Sequence, residues 1–118
     1  MSNNFNYKQL LHKDFELILM VNRQPAVLVF GADWSGGTEI MDSMMERISA
    51  EFNVGIHFFK VDVEAQSEIS DYFNVHNIPT TIMIKDGEIK EMFKGFIAAS
   101  KVRKKINDIF LSDSKTIN

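Results

Sequence analysis

The chain has 118 residues and no cysteine, with 16 acidic against 13 basic side chains, three His and a formal charge of −3. Its 45% apolar content, with ten Phe and seven Met, is enough to bury a core, which excludes a disordered chain. The missing thiols exclude disulfide staples, cysteine nucleophiles, iron–sulfur ligation and cysteine-bound zinc, and the acidic balance argues against a nucleic-acid partner, whose phosphates demand a dense positive field.

Residues 1–7 are polar and lack the basic start and apolar run of a secretory signal. The apolar stretch at 15–21 is broken by Glu16 and is too short to span a bilayer, so a cytoplasmic chain with no membrane contact is expected. Residues 7–11 are assigned the first strand. Asp14 reads as the N-cap of a helix over 15–22 that ends before Pro25. AVLVFG at 26–31 is a continuous apolar run, the pattern of a strand covered on both faces.

Ile40, Met41, Met44, Met45, Ile48 and Phe52 recur at helical spacing, which predicts a long amphipathic helix over 37–52 with its methionines as core filler. IHFFKV at 56–61 reads as a second buried strand, with His57 packed in it or bonded to backbone. A shorter helix over 65–73 carries Ile69, Tyr72 and Phe73. Beyond Pro79, strands at 81–85 and 88–94 flank Asp86-Gly87, a strong two-residue hairpin signal because glycine tolerates the positive φ of a type I′ turn. Val102, Ile106, Ile109 and Phe110 mark a final helix, whose wet face carries Lys101, Arg103, Lys104 and Lys105. The class is α/β, as one domain over 1–111 and a polar tail at 112–118 that is expected to fray.

VLVFGADWSGGT (27–38), FKVDVE (59–64), VHNIPTTIMIKDG (75–87) and KGF (94–96) together resemble the thioredoxin family, over nearly the whole of 15–110. Trp34 and Pro79 stand 45 positions apart, the family's spacing without a gap. The resemblance implies the thioredoxin fold, a mixed central sheet of four to five strands flanked by about four helices. It also places Ser35 and Thr38 where the family carries the two redox cysteines of its Trp-Cys-Gly-Pro-Cys motif. A hydroxyl is a far weaker acid than a thiol, and helix-dipole help of about 1 kcal/mol does not close that gap. Two hydroxyls form no disulfide in any case, so redox catalysis is expected to be absent.

Other departures agree. Val29 replaces the family's buried acid, Gly37 the proline between the cysteines, and Ser43 the proline that kinks the long helix, so a straighter helix is expected. Exchange of the two thiol positions alone would not bring Val29 or Ser43 with it, which points to a natural loss. Lys60, usually coupled to the buried acid, is left with Asp33 or Asp62 as candidate partners.

What the resemblance leaves is the binding surface. A cis bond is implied at Ile78–Pro79, where the family pairs backbone with an extended segment of another protein. The corresponding rim comprises Trp34, Gly36, Gly37, Val63, Asn77, Ile78, Pro79, Gly95 and Phe96. Lys94 and Phe96 make it bulkier and more charged than the family's usual small apolar residues. The expected partner is a protein or peptide segment, held in a chaperone-like, assembly or adaptor role, with the chain itself a monomer or weak homodimer.

Three alternatives compete. Ser35, His76 and Asp33 are the residue types of a nucleophilic triad, but such triplets arise by accident in a chain this long, and His76 reads more simply as a solvated loop residue. Ser35 stands where some thioredoxin-fold transferases place a hydroxyl against the glutathione thiolate, but no residues remain for their second domain. The Trp34 face could instead serve dimerisation. His12, His57 and His76 lack metal-ligand spacing, and no metal or other cofactor is expected.

Overall fold

The six apolar residues at 26–31 form the middle strand of a sheet in a computed structural model that describes residues 6–52 and 55–111. The strands are β1 (Tyr7–Gln9), β2 (Ala26–Gly31), β3 (His57–Asp62), β4 (Thr80–Lys85) and β5 (Glu88–Lys94). Among the described residues they make one mixed sheet in the order β1-β3-β2-β4-β5. β1 and β2 flank β3 in parallel, whereas β4 runs antiparallel to β2 and to β5.

Strand geometry sends successive side chains to opposite faces, and β2 shows why it must be apolar throughout. Val27 and Val29 meet Met41, Met45 and Ile48 of α2 (Gly36–Glu51) and Val102 and Ile106 of α4 (Ala99–Ile106). Ala26, Leu28 and Phe30 meet the other layer, with Phe15 and Leu19 from the first helix and Ile69 of α3 (Ser67–Tyr72), beside Phe73. Phe73 packs edge-on against both Phe30 and Phe15, with ring centres 5.8 Å apart in each pair. Each such fully buried side chain contributes about 1.5–3 kcal/mol of transfer free energy.

The hairpin forms at Asp86-Gly87, where φ is +58° and +78°, the positive pair that a type I′ turn requires. The Arg23 guanidinium donates to the Asp86 carbonyl and so ties this turn to the segment before β2.

The first helix departs from the sequence reading. α1 begins at His12 (His12–Asp14) and continues as a π-helical segment (Phe15–Val21), so Asp14 is not its cap. A cap residue needs an extended backbone, which Leu11 has, whereas Asp14 is already helical at φ −72°, ψ −35°. α2 runs unbroken through Ser43, but Ile40 leaves the buried stripe and is 56% exposed. The sheet-facing line runs through Thr38, Met41, Met45 and Ile48, and Ile40 falls outside its edge. Tyr72 is likewise exposed, although its ring lies edge-on to Phe15 and Phe73. α4 continues as a second π-helical segment (Asn107–Leu111), and residues 112–118 lie outside the described residues.

Candidate functional site

The site is built where β2 ends and α2 begins. The chain turns through Ala32 and Asp33, closed by Ser35 N–H to the Ala32 carbonyl at 3.0 Å. Ser35 is then the N-cap of α2: its backbone is extended, and its Oγ accepts from the Thr38 N–H at 3.2 Å. That bond satisfies one of the four amides a helix start leaves unpaired.

Thr38 is buried, and its Oγ1 accepts from the Ala32 N–H at 3.2 Å. Its methyl group fills the space beside Gly31, where an added Cβ would fall 2.3 Å from Thr38 Cγ2. Both hydroxyls, of Ser35 and Thr38, are therefore engaged by backbone amides.

Pro79 is buried against this helix start. A Cβ on Gly37 would lie 3.1 Å from Pro79 Cδ, so the absence of a side chain allows the proline ring to approach α2. The Ile78–Pro79 bond is cis. The Pro79 carbonyl accepts from the Gly95 N–H at 2.7 Å, and the Asn77 carbonyl accepts from Thr80 Oγ1 at 2.7 Å. Between these anchored neighbours, the Ile78 N–H and carbonyl meet no hydrogen-bond partner among the described residues.

Two large side chains stand out from the same region. Trp34 is 70% exposed, and its Nε1–H donates to Glu64 Oε2 at 3.0 Å. Phe96 is 65% exposed and follows Gly95, whose φ of +86° turns the chain away from β5. Val63 is half-buried, with its N–H bonded to the Gly31 carbonyl at 3.0 Å. Gly36 and Asn77 are exposed.

The triad residues do not assemble. His76 is exposed and bonded to Asn74 Oδ1 at 2.8 Å, and among the described residues it makes no bond to Ser35. Lys60 makes no ion pair among the described residues, with Asp33 or with Asp62. Asp62 is instead committed to its own turn, accepting from the Glu64 and Ala65 amides at 2.9 and 3.1 Å. His57 stacks on Phe59 with ring centres 5.5 Å apart, and burial together with the Lys8 charge holds its pKa below 6.5. Among the described residues no group of three His, Cys, Asp or Glu could hold a metal ion, and no helix is long and apolar enough to cross a membrane.

Two residues of this region have no sequence counterpart in the reading above. Glu64 fixes the indole of Trp34, a role that nothing in its spacing reveals. Asp42 lies on α2 one turn beyond Thr38 and accepts from the buried Tyr7 hydroxyl. Burial, and then the Asp42 carboxylate, push the Tyr7 pKa well above its ordinary value. Asp42, Thr38, Lys60 and Val29 line a small cavity of about 20 Å³ beneath the helix start. Asp42 is one of four acids on α2, with Glu39 and Glu46 a turn to either side, so its pairing with Tyr7 leaves no signal in the sequence.

The family model described as Thioredoxin matches residues 6–108. A thioredoxin of Borreliella burgdorferi is 31% identical over 88 residues, covering 74% of each chain. Thioredoxin Y1 of Arabidopsis thaliana, a chloroplastic protein, is 27% identical over 101 residues, which cover 86% of this chain but only 59% of that protein. The fold is shared with a solved thioredoxin of Malassezia sympodialis at a TM-score of 0.77, with 23% identity over 92% of this chain and 93% of that one. The match therefore spans both layers of the sheet, the turn into α2 and the proline beside it, and this chain belongs to the thioredoxin family.

Proposed function

We propose that this chain is a binding module of the thioredoxin fold, without thiol–disulfide exchange of its own, that holds an extended segment of another protein against Ile78. One observation carries this reading. The Ile78 N–H and carbonyl lack partners among the described residues, while Asn77, Pro79 and Gly95 around them are tied down. A fixed backbone step with a free donor and acceptor is a template for adding a strand, because main-chain bonds supply affinity whatever the partner's sequence. Trp34 and Phe96 stand exposed at the same rim as apolar walls, and aromatic anchors of this kind dominate binding energy when a partner covers them.

The chain's own chemistry supports the same reading. Without cysteine, neither the nucleophilic nor the resolving position can form a disulfide. A cytoplasmic chaperone-like or adaptor role fits a module whose recognition rests on backbone.

The test is amide chemical-shift mapping with short synthetic extended peptides. Saturable shifts centred on Trp34, Ile78, Gly95 and Phe96 are expected. Binding that leaves all four unmoved would refute the reading, as would disulfide reduction by the pure chain.

A further inference from the structure

One face of α2 continues the rim described above. Glu39, Ser43 and Arg47 follow each other at four-residue steps, and Ile40 and Met44 run alongside at the same spacing. These residues and Phe96 line one open groove of about 500 Å³. Four-residue steps stay on one helix face, so the groove runs along the helix axis. Ser43 leaves α2 unbroken across this stretch and keeps the stripe in register.

The groove begins beside the backbone ledge formed by Ile78 and Pro79. Glu39 is two residues beyond Gly37, which abuts Pro79, and Phe96 follows Gly95, which is bonded to the Pro79 carbonyl. Its floor and one wall are apolar, from Met44, Ile40 and Phe96. Its two ends carry opposite charges. Glu39 stands at the end near Pro79 and Arg47 at the far end, both exposed, and neither side chain makes a hydrogen bond or ion pair among the described residues. The Arg47 charge is felt at Glu51, but that carboxylate is held by Arg103 at 2.7 and 2.8 Å.

We infer that this groove is a sequence-reading extension of the ledge, and that it takes a partner segment carrying a basic, a bulky apolar and an acidic side chain at alternate positions. It rests on the proposal that an extended segment pairs with Ile78. Eight residues of α-helix separate the two charges by about 12 Å, which an extended chain crosses in about four residues. Residues i, i+2 and i+4 of an extended segment project to one side. A base at i therefore meets Glu39, an apolar side chain at i+2 enters between Ile40 and Phe96, and an acid at i+4 meets Arg47. The Ile78 ledge supplies affinity without sequence, and the groove supplies sequence.

The experiment is calorimetric titration of the full chain with two synthetic peptides, Lys-x-Phe-x-Glu and its uncharged counterpart Gln-x-Phe-x-Gln. The native chain is expected to prefer the first by about three- to tenfold, the scale of two solvent-exposed ion pairs, with the preference fading as salt rises. The double exchange Glu39→Gln with Arg47→Gln is expected to abolish the preference, and Phe96→Ala to weaken both peptides by about tenfold. Equal affinities for the two peptides, with the Ile78 amide still shifting, would overturn the groove and leave the ledge standing. No binding of either peptide would overturn both. A concentration-dependent mass that Phe96→Lys abolishes would show a second copy of the chain in the groove and overturn the inference too.

Discussion

Ser35 and Thr38 stand at the two thiol positions of the family, and each hydroxyl here serves the backbone. Ser35→Ala removes the cap that accepts from the Thr38 amide, and a loss of about 1 kcal/mol in denaturant unfolding is expected, with no change in fold. Gly31 and Thr38 are interlocked more tightly. Gly31→Ala would drive a methyl into the Thr38 side chain and is expected to cost about 1–3 kcal/mol. In the double variant with Thr38→Ala the two nearest of those contacts disappear, so the combined loss should fall short of the sum of the single losses. Strict additivity in that cycle would contradict the interlock. His57 sets a pH dependence. Its folded-state pKa lies below the ordinary 6.5, so the unfolded chain binds the proton more readily across that interval. Its contribution to stability is therefore fully present above pH 6.5, shrinks as pH falls towards the lower folded-state value, and changes no further below it. His57→Phe keeps a ring against Phe59, and urea midpoints at pH 7.5 and 5.5 should differ less in this variant than in the parent.

At the scale of elements, the sequence reading succeeded where one physical rule governs. β2 and β5 have the bounds that the apolar run and the Asp86-Gly87 turn predict. The first helix shows the limit, because a cap requires both a side chain and an extended backbone, and only the side chain of Asp14 is visible in sequence. α2 shows another, since Ile40 and Met41 both satisfy helical spacing. Which of them is buried depends on the line along which the helix meets the sheet. Met41→Ala is accordingly expected to cost about 2–5 kcal/mol in thermal or denaturant unfolding, and Ile40→Lys to change stability by no more than about 0.5 kcal/mol. Ile40→Lys should instead weaken binding of an apolar peptide at the groove. A large stability loss on Ile40→Lys would place that side chain in the core, contrary to its exposure. Of the rim, Trp34, Pro79, Gly95 and Phe96 were legible through resemblance, whereas Glu64 and Asp42 were not. Their partners, Trp34 and Tyr7, lie 30 and 35 positions away, and only the fold brings them together.

Across the whole molecule, two apolar layers hold one sheet, and the sheet holds the end of β2 and the start of β4 side by side. That is why Pro79 meets α2 although they are distant in sequence. The chain has no cysteine, yet that arrangement is intact, because the two hydroxyls satisfy amides at the turn and helix start. The proposed binding surface depends on backbone geometry at Ile78 and on exposed aromatic walls, neither of which needs a thiol. Hydrogen exchange of the Ile78 amide, measured with and without a saturating extended peptide, tests this most directly. Strong slowing of that amide on binding is the predicted result, since the peptide's carbonyl would accept from it. Unchanged exchange at Ile78 with the peptide demonstrably bound would contradict the proposed strand pairing.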